Sequence, residues 1–528
     1  MISLLAFTLL LSQTKGQKDD LLIHYDITIP GSTPEDALAV PSNFFGFGFE
    51  SGLFPHYDND FSENMVNAIG SRMSEPIVLR LGGSSGDHLT LVDNQTEPSL
   101  CDHEKWPICD SNSYFTIGPS YFNTLKRFTE AKVTLQAPMN DSTLENSMTF
   151  LRNAWEAIGQ DRVEAIALGN EPNYYDFEQW TAAEYVNRSI AIEDAVIADF
   201  ELLDPRIFQI GEIPSEVIQG IFPLFTMQQV LEDPIIPNNR NKYASGHLYQ
   251  LDLIGQQPGA DWYTTDIMQK GLLSHDFTTK ILEGYARDAA FLKEQNYSFP
   301  LVISEMGCAI GNSPPDFAGG FGAAVSAVDI NLKAMTIGVK QITNTQEPTA
   351  THSWWVPDNS GPQTTGPSVQ GVFPAAAFIT DFVGRNESLG RISQVLGEDL
   401  FSAYVMHDLV SNKPSRVALL NLKEWHSNST GDNRNNTRGN VTVSLNVGYV
   451  AQSVVVQRLR SDYGSFALGF DNGGPEQNTS WAGEQWSYRV NEGKGHFENG
   501  LEKKTLSVKN GKVDVVIPDT EVVMVSLK

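Results

Sequence analysis

The sequence predicts an α/β fold: a (β/α)8 barrel followed by a C-terminal antiparallel β-sandwich. Two observations carry this. Between about residues 44 and 384, eight short apolar runs alternate with helix-like stretches. After about residue 385 the helical periodicity fades, and short alternating runs punctuated by Gly, Asn, Asp and Pro take over. A chain of 528 residues, 41% hydrophobic and 19% charged, is long enough for two cores.

The barrel strands are expected at 44–49, 77–81, 132–137, 163–168, 207–210, 243–248, 301–304 and 339–342. Between them, 185–203 and 320–335 carry apolar residues at helical spacing. A doubly wound sheet is the alternative, but it usually carries glycine-rich phosphate turns, and none stands here. Sandwich strands are expected at 416–422, 441–447, 452–459, 512–517 and 522–527. The run 21–29 (LLIHYDITI) precedes the barrel and is expected to pair into the sandwich, tying the chain ends together. The expected division is a signal segment at 1–16, an N-terminal strand region at 17–43, the barrel at 44–384 and the sandwich at 385–528.

A net charge of −28 argues against nucleic acid or an anionic membrane surface as partner. Residues 1–11 (MISLLAFTLLL) are too few to span a bilayer. Small or polar residues and then Lys18-Asp19-Asp20 follow, so a secretory signal and an extracellular protein are expected, a buried first strand being the alternative. Sequons at Asn94, Asn140, Asn187, Asn296, Asn386, Asn428, Asn435, Asn440 and Asn478 fit a secreted glycoprotein, with the 428–440 cluster the best candidate for modification. Cys101 and Cys109 bracket a short loop and are expected to pair in an oxidising compartment. Cys308 is then left alone, as a small buried hydrophobe rather than a reactive thiol. Zinc-ligand spacing, the phosphate loop, a dinucleotide fingerprint and Gly-X-Ser-X-Gly are missing, so neither metal nor cofactor is expected.

Two runs carry the chemistry: Ala167-Leu168-Gly169-Asn170-Glu171-Pro172 and Leu301-Val302-Ile303-Ser304-Glu305-Met306-Gly307. Each reads as a buried strand delivering a glutamate at its C-terminal end, where parallel barrels place their chemistry. Asn-Glu-Pro alone is weak evidence, because helices often begin with an acidic residue; the pair is informative. Glycoside hydrolysis needs one protonated carboxyl for the leaving oxygen and one ionised carboxylate for the anomeric carbon. Two carboxyls held close push their pKa values apart.

Asn-Glu-Pro after strand four, with a glutamate ending strand seven, resembles the clan of retaining (β/α)8 glycosidases. Within it, Leu79-Arg80-Leu81-Gly82-Gly83-Ser84-Ser85-Gly86-Asp87 resembles the strand-two motif of glycoside hydrolase family 79, the β-glucuronidase and heparanase family. Phe47-Gly48-Phe49-Glu50-Ser51, His247-Leu248-Tyr249 and the domain layout are similar too. The resemblance implies Glu171 as general acid/base and Glu305 as nucleophile. It implies Asn170 on the sugar 2-hydroxyl, Glu50 and Asp87 on other ring hydroxyls, and Tyr249 orienting Glu305 with His247 nearby. The bland alternatives are a helix-start acid for Glu50, a cap for Asp87 and a satisfied buried histidine for His247. Gly319 and Gly320 open a helix whose backbone N–H groups suit a C6 carboxylate, or form an ordinary glycine-rich helix start. One tryptophan of 351–356 (THSWWV) is a sugar-stacking floor or loop packing. The implied function is a secreted retaining β-glycosidase, a β-D-glucuronidase acting by double displacement on a carbohydrate substrate. The alternatives are a β-glucosidase, β-galactosidase or β-xylosidase with the same machinery, or a non-catalytic carbohydrate-binding protein.

Overall fold

Eight parallel strands close into a barrel in the computed structural model, which describes residues 23–101, 109–175, 180–214, 225–237, 239–251, 260–309, 313–360, 366–385, 390–427, 437–448 and 450–528. The strands are β1 (Phe45–Glu50), β2 (Val78–Gly82), β3 (Lys132–Ala137), β4 (Val163–Leu168), β5 (Phe208–Pro214), β6 (Asn241–Leu251), β7 (Leu301–Ala309) and β8 (Ile342–Gln346). Each pairs with the next, and β8 pairs with β1. They are buried on both faces, by the barrel interior and by the helices outside, which is why most read as apolar runs.

The helices are set by local chemistry. Thr181 caps Ala182–Asp199 by accepting from the Glu184 amide, and Thr143 caps Leu144–Ile158 in the same way. Helix Phe321–Ile337 is buried on nearly every side, because it lies between the barrel and the sandwich. Its Asp329 accepts from Ser402 Oγ (2.7 Å) and Tyr404 OH (3.0 Å) of the sandwich and pairs with His275 (2.9 Å). These buried bonds fix the two domains against each other.

The sandwich has a large sheet and a small one. The large sheet runs Leu38–Val40, Gly390–Glu398, Phe401–Asp408, Pro414–Asn421, Glu521–Leu527, Ser453–Ser461 and on to shorter strands. The small sheet orders Ile23–Thr28, Asn440–Asn446 and Lys512–Pro518. Val417, Leu419, Leu445, Val515, Ile517 and Val523 fill the space between them. The N-terminal strand pairs with Asn440–Asn446 in parallel, Ile23 opposite Val441, so the small sheet is mixed rather than purely antiparallel.

Three expectations shift. The eighth barrel strand begins where 339–342 was expected to end. Gly338, at φ 102°, stops the preceding helix, and the strand proper (ITNTQ) is polar because its side chains bond inside the barrel. Asn344 Nδ2, for instance, donates to the Gly46 carbonyl at 3.2 Å. β5, β6 and β7 run several residues past their expected ends. Strands Gly390–Glu398 and Phe401–Asp408 had no expected counterpart. The expected signal segment and the sequons at Asn386, Asn428 and Asn435 lie outside the described residues. Among the described residues, no helix is long and apolar enough to cross a membrane.

Candidate active site

The C-terminal ends of β2, β4, β5, β6 and β7 converge on one cluster of charges. After β4, Gly169 takes φ 79° and Glu171 the left-handed φ 50°, a conformation few side chains adopt. The Glu171 amide donates to the Glu212 carbonyl at 3.0 Å, which anchors that turn on the end of β5. Glu305 lies within β7, in register with His247 of β6 beside a register shift that re-aims the local side chains. One carboxylate oxygen each of Glu171 and Glu305 and one ring nitrogen of His247 all lie within 4.8 Å of one another. A water between the carboxyls needs a separation of about 6.5–9.5 Å, while a direct covalent route needs about 5–5.5 Å.

Arg80 organises the cluster from the middle of β2. Its guanidinium is 2% exposed. Nη1 donates to Glu305 Oε2 (2.9 Å), and Nη2 donates to Glu212 Oε2 and Asn170 Oδ1 (both 2.8 Å). Tyr249 OH donates to Glu305 Oε1 at 2.6 Å. His247 bridges the glutamates: Nδ1 lies 3.0 Å from Glu171 Oε1 and Nε2 lies 2.9 Å from Glu212 Oε2. Glu212 also accepts from Gln209 (2.6 Å) and Ser304 (2.9 Å).

These contacts set the protonation states. Burial alone would raise the Glu212 carboxyl, but Arg80 and His247 hold it down at about 2. Burial opposes ionisation of Glu305 too; the His247 and Arg80 charges and the Tyr249 hydroxyl overcome it and lower its pKa. Burial would lower the His247 pKa, yet Glu305 and the bonds to Glu171 and Glu212 raise it to about 9. Below neutrality the buried cluster therefore holds two cations, Arg80 and His247, against two anions, Glu212 and Glu305. Of the three glutamates Glu171 is the most exposed, with 20% of its side chain reachable from the barrel mouth.

Other expected site residues are more constrained. Asp87 Oδ1 accepts from the Met139 amide (3.0 Å) and Oδ2 from Tyr175 OH, and burial raises its pKa to about 7. Tyr175 OH in turn accepts from the Asn170 amide at 3.0 Å. Asp87 thus braces the turn that carries Asn170, with each of its oxygens accepting one protein hydrogen bond. Glu50 accepts from the Ser85 amide (2.8 Å) and the Ser85 hydroxyl. Burial, then Glu347 and Glu305, raise the Glu50 pKa well above the carboxylate range.

At the carboxylate site expected at Gly319 and Gly320, Ala318 and Gly319 donate to Pro314 and Pro315 carbonyls, and Phe321 and Gly322 donate to Ala467 and Ser465 of the sandwich. The helix start thus docks onto the second domain, and the Gly319 amide is engaged by a protein carbonyl. Neither tryptophan is a sugar floor. Trp354 packs edge-on against Phe45 and Phe47, and Trp355 is fully buried and donates to Ser62 Oγ (3.1 Å). Cys101 and Cys109 are joined. Cys308, half-buried rather than the buried hydrophobe expected, donates to the Ala318 carbonyl (3.1 Å), and desolvation pushes its thiol up to about 12, which disfavours the thiolate.

Glu171, His247 and Glu305 are also a group that could offer ligand atoms to a metal. A divalent cation there would meet the Arg80 guanidinium, 2.9 Å from Glu305, and would compete with the His247 bonds. The donor set does not fit one. The sequence reasoning passed over Glu212, although an acid just past the apolar run of β5 repeats the pattern of β4 and β7. Arg80 stands in the strand-two motif with no role implied for it, yet an arginine inside the apolar run VLRLG signals a buried partner.

A closed (β/α)8 barrel with a carboxyl pair at the C-terminal ends of β4 and β7 defines a glycoside hydrolase. Residues 403–524 match the glycosyl hydrolase family 79 C-terminal beta domain. The chain is 22% identical to a β-glucuronidase of Aspergillus niger over 536 residues, covering 95% of this chain and 94% of that one. It is 21% identical to a β-glucuronidase of Neurospora crassa over 445 residues, covering 78% and 76%. Among solved structures it resembles a 4-O-α-L-rhamnosyl-β-D-glucuronidase of Fusarium oxysporum, with TM-score 0.76 and 19% identity over 95% of this chain and 100% of that one. A family 51 arabinofuranosidase of Xanthomonas axonopodis superposes at TM-score 0.59 and 12% identity, covering 96% and 100%. The chain belongs to glycoside hydrolase family 79.

Proposed function

We propose that this glycosidase is a secreted, retaining β-D-glucuronidase that works by double displacement. The observation that carries the mechanism is the approach of one carboxylate oxygen of Glu171 and one of Glu305 within 4.8 Å, which favours the short carboxyl spacing of a direct covalent route. Glu305, kept ionised by Arg80, His247 and Tyr249, attacks the anomeric carbon while Glu171 gives its proton to the leaving oxygen. Glu171 then takes a proton from water, which releases the sugar with its configuration retained. Asn170 Oδ1 is engaged by Arg80, so its amide N–H is the group left for the sugar 2-oxygen. The glucuronide preference is supported by the likeness to two fungal β-glucuronidases. The apolar leader and the sequons support secretion.

A panel of aryl β-D-glycosides tests the assignment. The glucuronide is expected to turn over fastest, with the β-anomer as the first product in a proton NMR time course. Equal rates on glucoside or galactoside would remove the glucuronide preference, and an α-anomer first would exclude retention. Glu171→Gln should cost about 10²–10⁴ in rate on aglycones that need protonation. Glu305→Gln should abolish the trapping of a covalent glycosyl-enzyme by a 2-fluoro glycoside.

A further inference from the structure

A groove of about 500 Å³ opens where the barrel meets the sandwich. Its lining comes from helix Glu283–Glu294, the turn that leads from it into Leu301, the segment 337–340 and Leu38 of the large sheet's outermost strand. The segments 283–301 and 337–340 are described without a break. Leu301 opens β7, and Glu305 stands further along the same strand. The groove therefore lies at the end of the barrel away from the carboxyl pair, and the glycosidase mechanism makes no use of it.

Its walls are apolar. Helix Glu283–Glu294 turns short alanines to it, Ala286, Ala289 and Ala290, which leave the space open. The Tyr297 hydroxyl donates to the Leu231 carbonyl, so the ring is what Tyr297 offers the groove. Lys293 and Lys340 are the charged side chains of the lining, and no acid stands among the described residues that form it. Lys340 gives one of its three donors to the Ala39 carbonyl. Neither lysine is held in an ion pair among the described residues. Acids outnumber bases 64 to 36 in this chain, so two lysines together without an acidic partner stand out. Burial takes hydration from Lys340 and lowers its pKa, a loss that a bound anion would offset.

We propose that this groove binds a single-chain amphiphile with an anionic head, a medium-chain fatty carboxylate. The tail lies along the alanines, Leu301 and Ile337, and the head is met by Lys340 and Lys293. The volume falls in the range of roughly 300–1,000 Å³ that holds small-molecule ligands, and junctions between domains are a common place for them. A sugar fits poorly, because its hydroxyls would face methyl and methylene groups. A cationic amphiphile would meet like charge.

Calorimetry on the full chain tests this with decanoate, decanol and decyltrimethylammonium, each below its micelle concentration. Decanoate should bind about tenfold or more tightly than decanol, the effect of one hydrogen bond to a charged group, and the cation more weakly than either. At a hundredfold its Kd, decanoate should raise Tm by about 2–3 °C. Lys340→Met should bring decanoate close to the decanol value. That variant also loses the Ala39 bond, so Lys293→Glu and Ala290→Trp, both at exposed positions, give the second reading. Lys293→Glu should weaken decanoate and leave decanol unchanged, while Ala290→Trp should weaken both by filling the groove. Absence of decanoate binding, equal affinity for decanoate and decanol, or unchanged decanoate affinity in Lys293→Glu and Ala290→Trp overturns the site. Displacement of decanoate by a β-glycoside substrate would put the amphiphile in the barrel mouth and overturns it too.

Discussion

Arg80 makes the active cluster possible. A buried guanidinium with two carboxylates and an amide oxygen around it is stable only while all partners remain. Arg80→Met should therefore strip Glu212 and Glu305 of their guanidinium partner, leaving Glu212 to His247, Gln209 and Ser304 alone, at a cost of about 3–5 kcal/mol in urea unfolding. Gly83, at φ 92°, is constrained for a different reason: a Cβ there would collide with the Glu50 carboxylate. Gly83→Ala should displace Glu50 and raise KM more than it lowers stability, a split that steady-state kinetics and thermal unfolding together resolve. The sequence made Glu171 and Glu305 legible because each ends an apolar run. Glu212 stayed hidden because the expected fifth strand stopped at Ile210, before the acid came into view. The bracing contact of Asp87 with Tyr175 stayed hidden because a loop acid near an active site looks alike in sequence whether or not it braces a tyrosine.

Among the elements, strand position was legible wherever burial on both faces gave unbroken apolar runs, as in β3 and β4. It failed at β8, whose polar side chains are satisfied inside the barrel and so mimic a loop. It failed again at Phe401–Asp408, where the expected domain switch drew attention past an early strand. In the small sheet, Leu445 faces the sandwich core on a strand gripped from both sides. Leu445→Ala should destabilise the protein by about 2–5 kcal/mol in chemical denaturation. The unfolding midpoint of the N-terminal strand, followed by hydrogen exchange at Tyr25–Ile27, should fall with it.

For the whole molecule, buried carboxyls and one histidine set a pH window. Glu212, held at about 2, adds stability that is present above its unfolded value near ~4.3 and lost as pH falls through 2. His247, raised to about 9, adds stability that is full below ~6.5 and lost as pH rises through 9. Asp87 and Glu193, each raised to about 7 by burial, stabilise most below ~4 and lose that contribution as pH rises through 7. The terms overlap best in mildly acidic solution, so Tm should peak between about pH 4 and 6.5. Asp87→Asn should flatten the slope of Tm between pH 5 and 7; an unchanged slope would show that Asp87 does not carry it.

The parallel pairing of Ile23–Thr28 with Asn440–Asn446 has a consequence for synthesis. Ile23 meets Val441, a residue the ribosome adds 418 positions later. At about 5–20 residues per second, that strand waits roughly 20–80 s with its backbone donors and acceptors unmatched. The barrel is released earlier, because β8 meets β1 once residue 346 has emerged. Folding on the ribosome therefore closes the middle of the chain first and its two ends last. A nascent chain stopped between residues 385 and 440 would carry all the barrel's strands and helices and an unpaired first strand, a template for joining another chain.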